Sequence, residues 1–281
     1  MPYVNVLGLD FYYEDDNFTD PWTEPEVLWI QHGFGRSSQF FYHWVPRLAR
    51  RYRVLRRDLR GHGQSSDPSP ARPWTVDDML EDMIGFMDAL GLKTVHYVGD
   101  SAGGVLGAAF AARWPERVKS LTMMSSPIAD PSRDSEKRYG FSKMADMFDQ
   151  WPIEKYVRNV IELRGLSILG PEHEAWVLKE WSKNRPASLK GLAGLFPSVD
   201  ISTILPQIRA PTLFLSPANS STAPLDEQKR MAALVPGARM AVIDGIGHEI
   251  YVDQAEACLD ALQAFLVSLQ GPADPLETSA L

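Results

Sequence analysis

The chain has 281 residues, 44% of them hydrophobic and 23% charged, enough for one large α/β domain or two small ones. Its net charge of −8 argues against the basic face that a nucleic acid or an anionic membrane would require, so neither is an expected partner. The single cysteine, Cys258, rules out an intramolecular disulfide, and its apolar neighbours Leu259, Leu262, Phe265 and Leu266 mark it as a core position.

In chain order, Met1–Asn5 lacks the basic and apolar segments of a signal peptide, and no apolar run reaches the ~18 residues of a membrane span. A cytoplasmic location is therefore expected. Val4–Leu7 and Leu9–Tyr13, split by Gly8, read as an edge hairpin. Buried-strand patterns follow at Val27–Gln31, Tyr52–Arg57, Thr94–Gly99, Val118–Met124, Thr212–Ser216 and Met240–Ile243. Between them lie helix-period segments. Thr75–Leu90 carries Thr75 at a capping position with acidic Asp77 and Asp78 in its first turn. Ser101–Trp114 is small and apolar, as a helix packed closely on a sheet must be, and Val252–Leu269 closes the fold. From Pro127 to Pro206 the alternation stops: helical patterns rich in Phe, Trp and Met are punctuated by prolines at 131, 152, 171, 186 and 197. This predicts a mostly parallel sheet with helices on both faces and an inserted all-helical cap. The expected division is a core at 1–127 and 206–270, a cap at 128–205, and a polar, frayed tail at 271–281.

Four motifs carry chemistry. Gly99-Asp100-Ser101-Ala102-Gly103-Gly104 lies between a strand and a helix, the context of a Gly-x-Ser-x-Gly turn that presents a strained nucleophilic serine. Glycines at 99 and 103 would remove Cβ atoms that clash. His32-Gly33-Phe34-Gly35 follows the strand Val27–Gln31, and the amides of Phe34 and Ala102 would form an oxyanion hole. Asp58-Leu59-Arg60-Gly61-His62-Gly63-Gln64-Ser65 reads as a loop stiffened by its own hydrogen bonds, and His62 has no partner at metal-ligand spacing. Gly245-Ile246-Gly247-His248 precedes the last helix, where a general base must sit to reach Ser101.

Taken together and in this order, the motifs resemble the α/β-hydrolase superfamily from about Val27 to Leu269. The most similar branch holds carboxylesterases, lactonases, C–C bond hydrolases and cofactor-free haloperoxidases. The resemblance implies Ser101 as nucleophile, His248 as its base and no cofactor or metal. A dehalogenase or epoxide hydrolase is disfavoured, because their resemblance needs an aspartate where Ser101 stands.

The chain departs from the family at the triad acid. The family's usual position falls at or beside Ser220, and an alternative used by some members falls at Ser125 and Ser126. Three substitutes remain: Asp130, preferred, from the cap hinge; Asp226, from the start of a helix; or a neutral partner such as Asn219 or Ser220. With a neutral partner, His248 is expected to titrate near the unperturbed value of about 6.5. The expected activity is hydrolysis of an ester or lactone of a small hydrophobic substrate through an acyl-enzyme. A C–C hydrolase of the same fold and a small-ligand binding protein with little turnover are the rivals, and a homo-oligomer is left open.

Overall fold

The computed structural model describes residues 3–68, 72–129, 135–164 and 169–270. The tail 271–281 and Asp130 lie outside them.

Eight strands form one sheet in the order β1-β2-β4-β3-β5-β6-β7-β8. Strands β1 (Tyr3–Val6) and β2 (Leu9–Asp16) make the antiparallel edge hairpin. Beyond it, β4 (Arg53–Arg57), β3 (Val27–Gln31), β5 (Val95–Asp100), β6 (Val118–Met124), β7 (Thr212–Pro217) and β8 (Arg239–Ile243) run parallel. The central strands are apolar on both faces because helices cover both, which is why their sequences run hydrophobic without alternation. Trp29 of β3 anchors one layer, with Phe86, Tyr97 and Phe110 within 5.1, 5.3 and 6.4 Å of its ring centre.

The helices of the core are α1 (Val45–Leu48), α2 (Val76–Ala89) and α3 (Ala102–Arg113). The Thr75 hydroxyl accepts from the amide of Asp78, the N-cap that its spacing predicted. Between β6 and β7 the described residues form five α-helices: α4 (Ser135–Tyr139), α5 (Met144–Met147), α6 (Ile153–Leu163), α7 (Pro171–Trp181) and α8 (Pro186–Leu195). Pro152, Pro171 and Pro186 stand at the starts of α6, α7 and α8, where a missing N–H is tolerated. Met147, Phe148, Tyr156 and Trp181 are buried among them. An antiparallel bridge between Ala129 and Asp200 fastens the insertion at its base.

The chain ends with α9 (Leu225–Leu234), α10 (Ile250–Asp253) and α11 (Ala255–Leu269). Here the structure corrects the expectation of one continuous helix from Val252. Gln254, at φ −124° and ψ 35°, interrupts it. The Asp253 carboxylate accepts from the amide of Ile246 at 2.8 Å, so this residue serves the loop before it instead of a continuing helix. Cys258 is fully buried in α11, and burial pushes its thiol pKa up. Among the described residues, no helix is long and apolar enough to cross a membrane.

Candidate active site

Every candidate residue that the structure describes at the site stands at the carboxyl edge of the parallel sheet. There the crevice outside the strand ends is the natural place for a ligand. Ser101 joins β5 to α3 at φ 51° and ψ −116°, a conformation disfavoured for a side chain with a Cβ and costing about 1–3 kcal/mol. The turn is closed so tightly that a Cβ on Gly99 would lie 2.5 Å from the backbone of Gly103 and Gly104. One on Gly103 would lie 2.4 Å from the carbonyl oxygen of Gln31. The amide of Ser101 donates to the carbonyl of Met124 at 2.7 Å, which pins the turn to β6.

His248 follows β8 on the loop Asp244–Glu249 and is 4% exposed. Its Nε2 lies 3.1 Å from Ser101 Oγ, close enough for a proton to pass between them. Its main chain is held as well, because the Ser125 hydroxyl donates to the His248 carbonyl at 2.8 Å. Nδ1 faces Ser220 Oγ at 3.1 Å. The side chain of Asn219 turns elsewhere, to Asp244 and to the carbonyl of Gly245. That of Asp226 is 86% exposed and paired with Lys229, away from the imidazole. Thus, among the described residues, a hydroxyl and no carboxylate meets Nδ1.

The unperturbed titration expected for this case is not what the structure gives. Burial, followed by the positive charge of Arg164, pushes the His248 pKa down to about 3, with Arg36 and Arg138 adding to the effect and Glu249 opposing it. The carboxylate of Glu249 is shared by Arg36 of the core and Arg164 at the end of α6. Burial alone would raise its pKa, but the two guanidiniums outweigh that and hold it at about 2. Arg36 also receives the rings of Phe40 and Trp181 at 5.0 and 4.7 Å and donates to the Tyr251 hydroxyl at 2.9 Å. Asp100, beneath the turn, is driven by burial up to about 7.

Above Ser101 lies a cavity of about 230 Å³. Its lining is mainly apolar, from Phe34, Ala102, Leu106, Leu192, Leu195 and Ile201, with the guanidinium side chains of Arg138 and Arg164 among them. Ala102 is the first residue of α3, whose amide has no partner within the helix. Phe34 lies on the turn after β3, and both residues border the same space as Ser101. The ring of Phe34 is packed by Phe148, Tyr156, Trp181 and Phe196, all of the insertion, at 5.3 to 6.4 Å between centres.

The Asp58–Ser65 loop serves the scaffold. Asp58 accepts from the amides of Ser38 and Gln64 at 2.6 and 2.8 Å. Arg60 pairs with buried Asp82 and donates to the carbonyls of Pro73 and Asp78. His32 accepts from the amide of Leu59 and lies against the carbonyl of Gly33. Among the described residues, no three His, Cys, Asp or Glu side chains gather as a metal would need.

Arg36, Glu249, Arg164 and Arg138 were not singled out from the sequence. Arg36 and Arg164 stand 213 and 85 residues from Glu249, and a charge separated that far from its partner has no local pattern. A carboxylate directly after the histidine was the one visible hint.

The family described as alpha/beta hydrolase fold matches residues 26–255. A protein of Caulobacter segnis named "Putative carbamate hydrolase RutD" is 29% identical over 247 residues, covering 86% of this chain and 91% of that one. A "2-hydroxy-6-oxo-2,4-heptadienoate hydrolase" of Pseudomonas putida is 27% identical over 256 residues, covering 85% and 88%. Among solved structures, the enol-lactonase from Burkholderia xenovorans LB400 superposes with a TM-score of 0.85 at 22% identity, covering 95% of this chain and all of that one.

Proposed function

Since the chain belongs to the α/β-hydrolase family, we propose that it is a serine hydrolase cleaving an ester or lactone of a small hydrophobic molecule through an acyl-enzyme. The observation that carries the reading is the 3.1 Å approach of His248 Nε2 to Ser101 Oγ at the floor of a largely apolar cavity. In this reading Ser101 attacks the carbonyl carbon and its proton passes to Nε2. The oxyanion is received by the amides of Phe34 and Ala102, a donor pair of which each member is worth about 3 kcal/mol in the transition state. The imidazolium then returns the proton to the leaving oxygen, and water repeats the sequence on the acyl-enzyme.

The cavity adds a preference. Apolar walls suit a hydrophobic acyl or alcohol group, and Arg138 and Arg164, both on the same lining and both already hydrogen-bonded within the protein, add positive charge that suits one anionic end. A C–C bond hydrolase acting on a carboxylate-bearing ketone fits the same lining and stands as the second reading.

Labelling by a fluorophosphonate tests the nucleophile. Wild type is expected to be labelled and Ser101→Ala to be silent, with hydrolysis of short p-nitrophenyl esters lost in parallel. Retention of most of the wild-type kcat in Ser101→Ala removes the assignment. Esters matched in size, with and without a terminal carboxylate, separate a charge-reading cavity from a purely hydrophobic one.

A further inference from the structure

Ser220 stands at or beside the position where the resemblance places the triad acid, and its hydrogen bonds determine what it does there. A serine hydroxyl has two lone pairs and one proton. Two main-chain amides already donate to Ser220 Oγ, that of Ala223 at 3.0 Å and that of Thr222 at 3.2 Å. An amide can only donate, so both lone pairs are taken. The third neighbour is His248 Nδ1 at 3.1 Å, and what Oγ has left to offer it is the proton. Ser220 is 6% exposed, so solvent does not compete for it.

We propose that Ser220 is a positioning residue whose hydroxyl donates to His248 Nδ1 and so holds the resting imidazole with its proton on Nε2. That is the reverse of the arrangement a carboxylate imposes, where Nδ1 bears the proton and Nε2 is free to accept. In the resting protein Nε2–H points at Ser101 Oγ as a donor. Accepting the Ser101 proton requires the other tautomer, in which Nδ1–H meets an oxygen whose lone pairs are both in use. The net worth of one hydrogen bond leaves that tautomer about fivefold less populated. The imidazolium formed next finds no carboxylate at Nδ1, among the described residues, to stabilise it. Among the described residues, the charges that act most on His248 are the cations Arg164, Arg36 and Arg138 and the carboxylate of Glu249, which Arg164 and Arg36 already hold. The fold therefore assembles the nucleophile and its base and leaves the base poorly poised.

The kinetic half of this inference rests on the hydrolase reading, and the spectroscopic half does not. Nitrogen NMR of protein labelled at histidine reads the tautomer of His248 directly. Wild type is expected to show Nδ1 as the bare nitrogen and Nε2 as the protonated one, and a proton on Nδ1 overturns the proposal. Ser220→Thr keeps the hydroxyl and should keep the pattern. Ser220→Ala should lose the bias, and an unchanged spectrum in a folded Ser220→Ala protein also overturns it. Ser220→Asp should move the proton to Nδ1 and raise kcat at least about tenfold, with KM little changed. Inversion of the tautomer without a gain in kcat overturns the claim that it limits turnover. A wild type that hydrolyses no ester at all strikes the hydrolase reading alone, because the NMR signal needs no turnover.

Discussion

At the scale of single residues, His248, the proposed base, and the carboxyl of Asp100 beneath Ser101 make opposite demands on pH. With the His248 pKa held at about 3, the base is neutral across the physiological range. The acid limb of kcat/KM, expected near 6.5 for a free histidine, should then be missing, and the profile should stay flat down to about pH 5. A limb with a midpoint of 6 to 7 that persists in Asp100→Asn would refute this. Asp100 needs that control because burial raises its own pKa to about 7. Between the unfolded value and 7 the native carboxyl holds a proton that the unfolded chain has released. Its contribution to stability therefore falls as pH rises through that window. Asp100→Asn should remove the loss, so that urea unfolding at pH 8 shows a variant at least as stable as wild type, gaining on the order of 1 kcal/mol or more.

At the scale of elements, the turn between β5 and α3 tolerates no Cβ at two of its positions. Gly103→Ala would drive a methyl to 2.4 Å from the Gln31 carbonyl, and backbone on both sides cannot yield. The expected cost is about 3 kcal/mol or more, or failure to accumulate soluble protein, measured by urea unfolding beside Gly194→Ala in α8, where an added Cβ meets nothing nearer than 4.0 Å. Elements of this kind are the ones that sequence exposes. The strands at Val27–Gln31 and Val118–Met124 lie between Pro25 and the glycine turn after His32 and between Pro115 and Pro127, and their limits read directly. The helix after Ser101 is announced by small residues because only they fit against β5. Ser101 and His248 were legible because each lies in a glycine-framed loop next to a strand. The break at Gln254 was not, because it depends on the Asp253 carboxylate meeting the amide of Ile246, a contact of tertiary origin. Ser220 was legible as a departure from the family pattern and not as a donor, since its lone pairs are counted only once the turn to Ala223 is folded.

Across the whole molecule, Glu249 links the insertion to the sheet by accepting from Arg164 and Arg36 together. Its two partners are therefore unequal to it in substitution. Arg164→Gln leaves the Arg36–Glu249 pair intact and should cost little stability while changing KM for anionic esters. Glu249→Gln leaves buried Arg36 and partly exposed Arg164 facing each other without that carboxylate and should cost about 3 kcal/mol. Thermal unfolding of the two variants compares them, and equal losses would mean that the carboxylate is no more central than either arginine.

The ring of Phe34 has a consequence for how such a protein can change. Four rings of the insertion clamp it, and Phe34 borders the space above Ser101. A substitution in the insertion that enlarges the cavity for a new substrate will also shift Phe34, the residue proposed to receive the oxyanion. Substrate range and catalytic rate are then not separately adjustable. Variants selected for larger substrates, at Phe148 or Phe196 for example, should lose kcat on the original ones. Recovery should come from second changes that repack the rings around Phe34, and not from changes near Ser101.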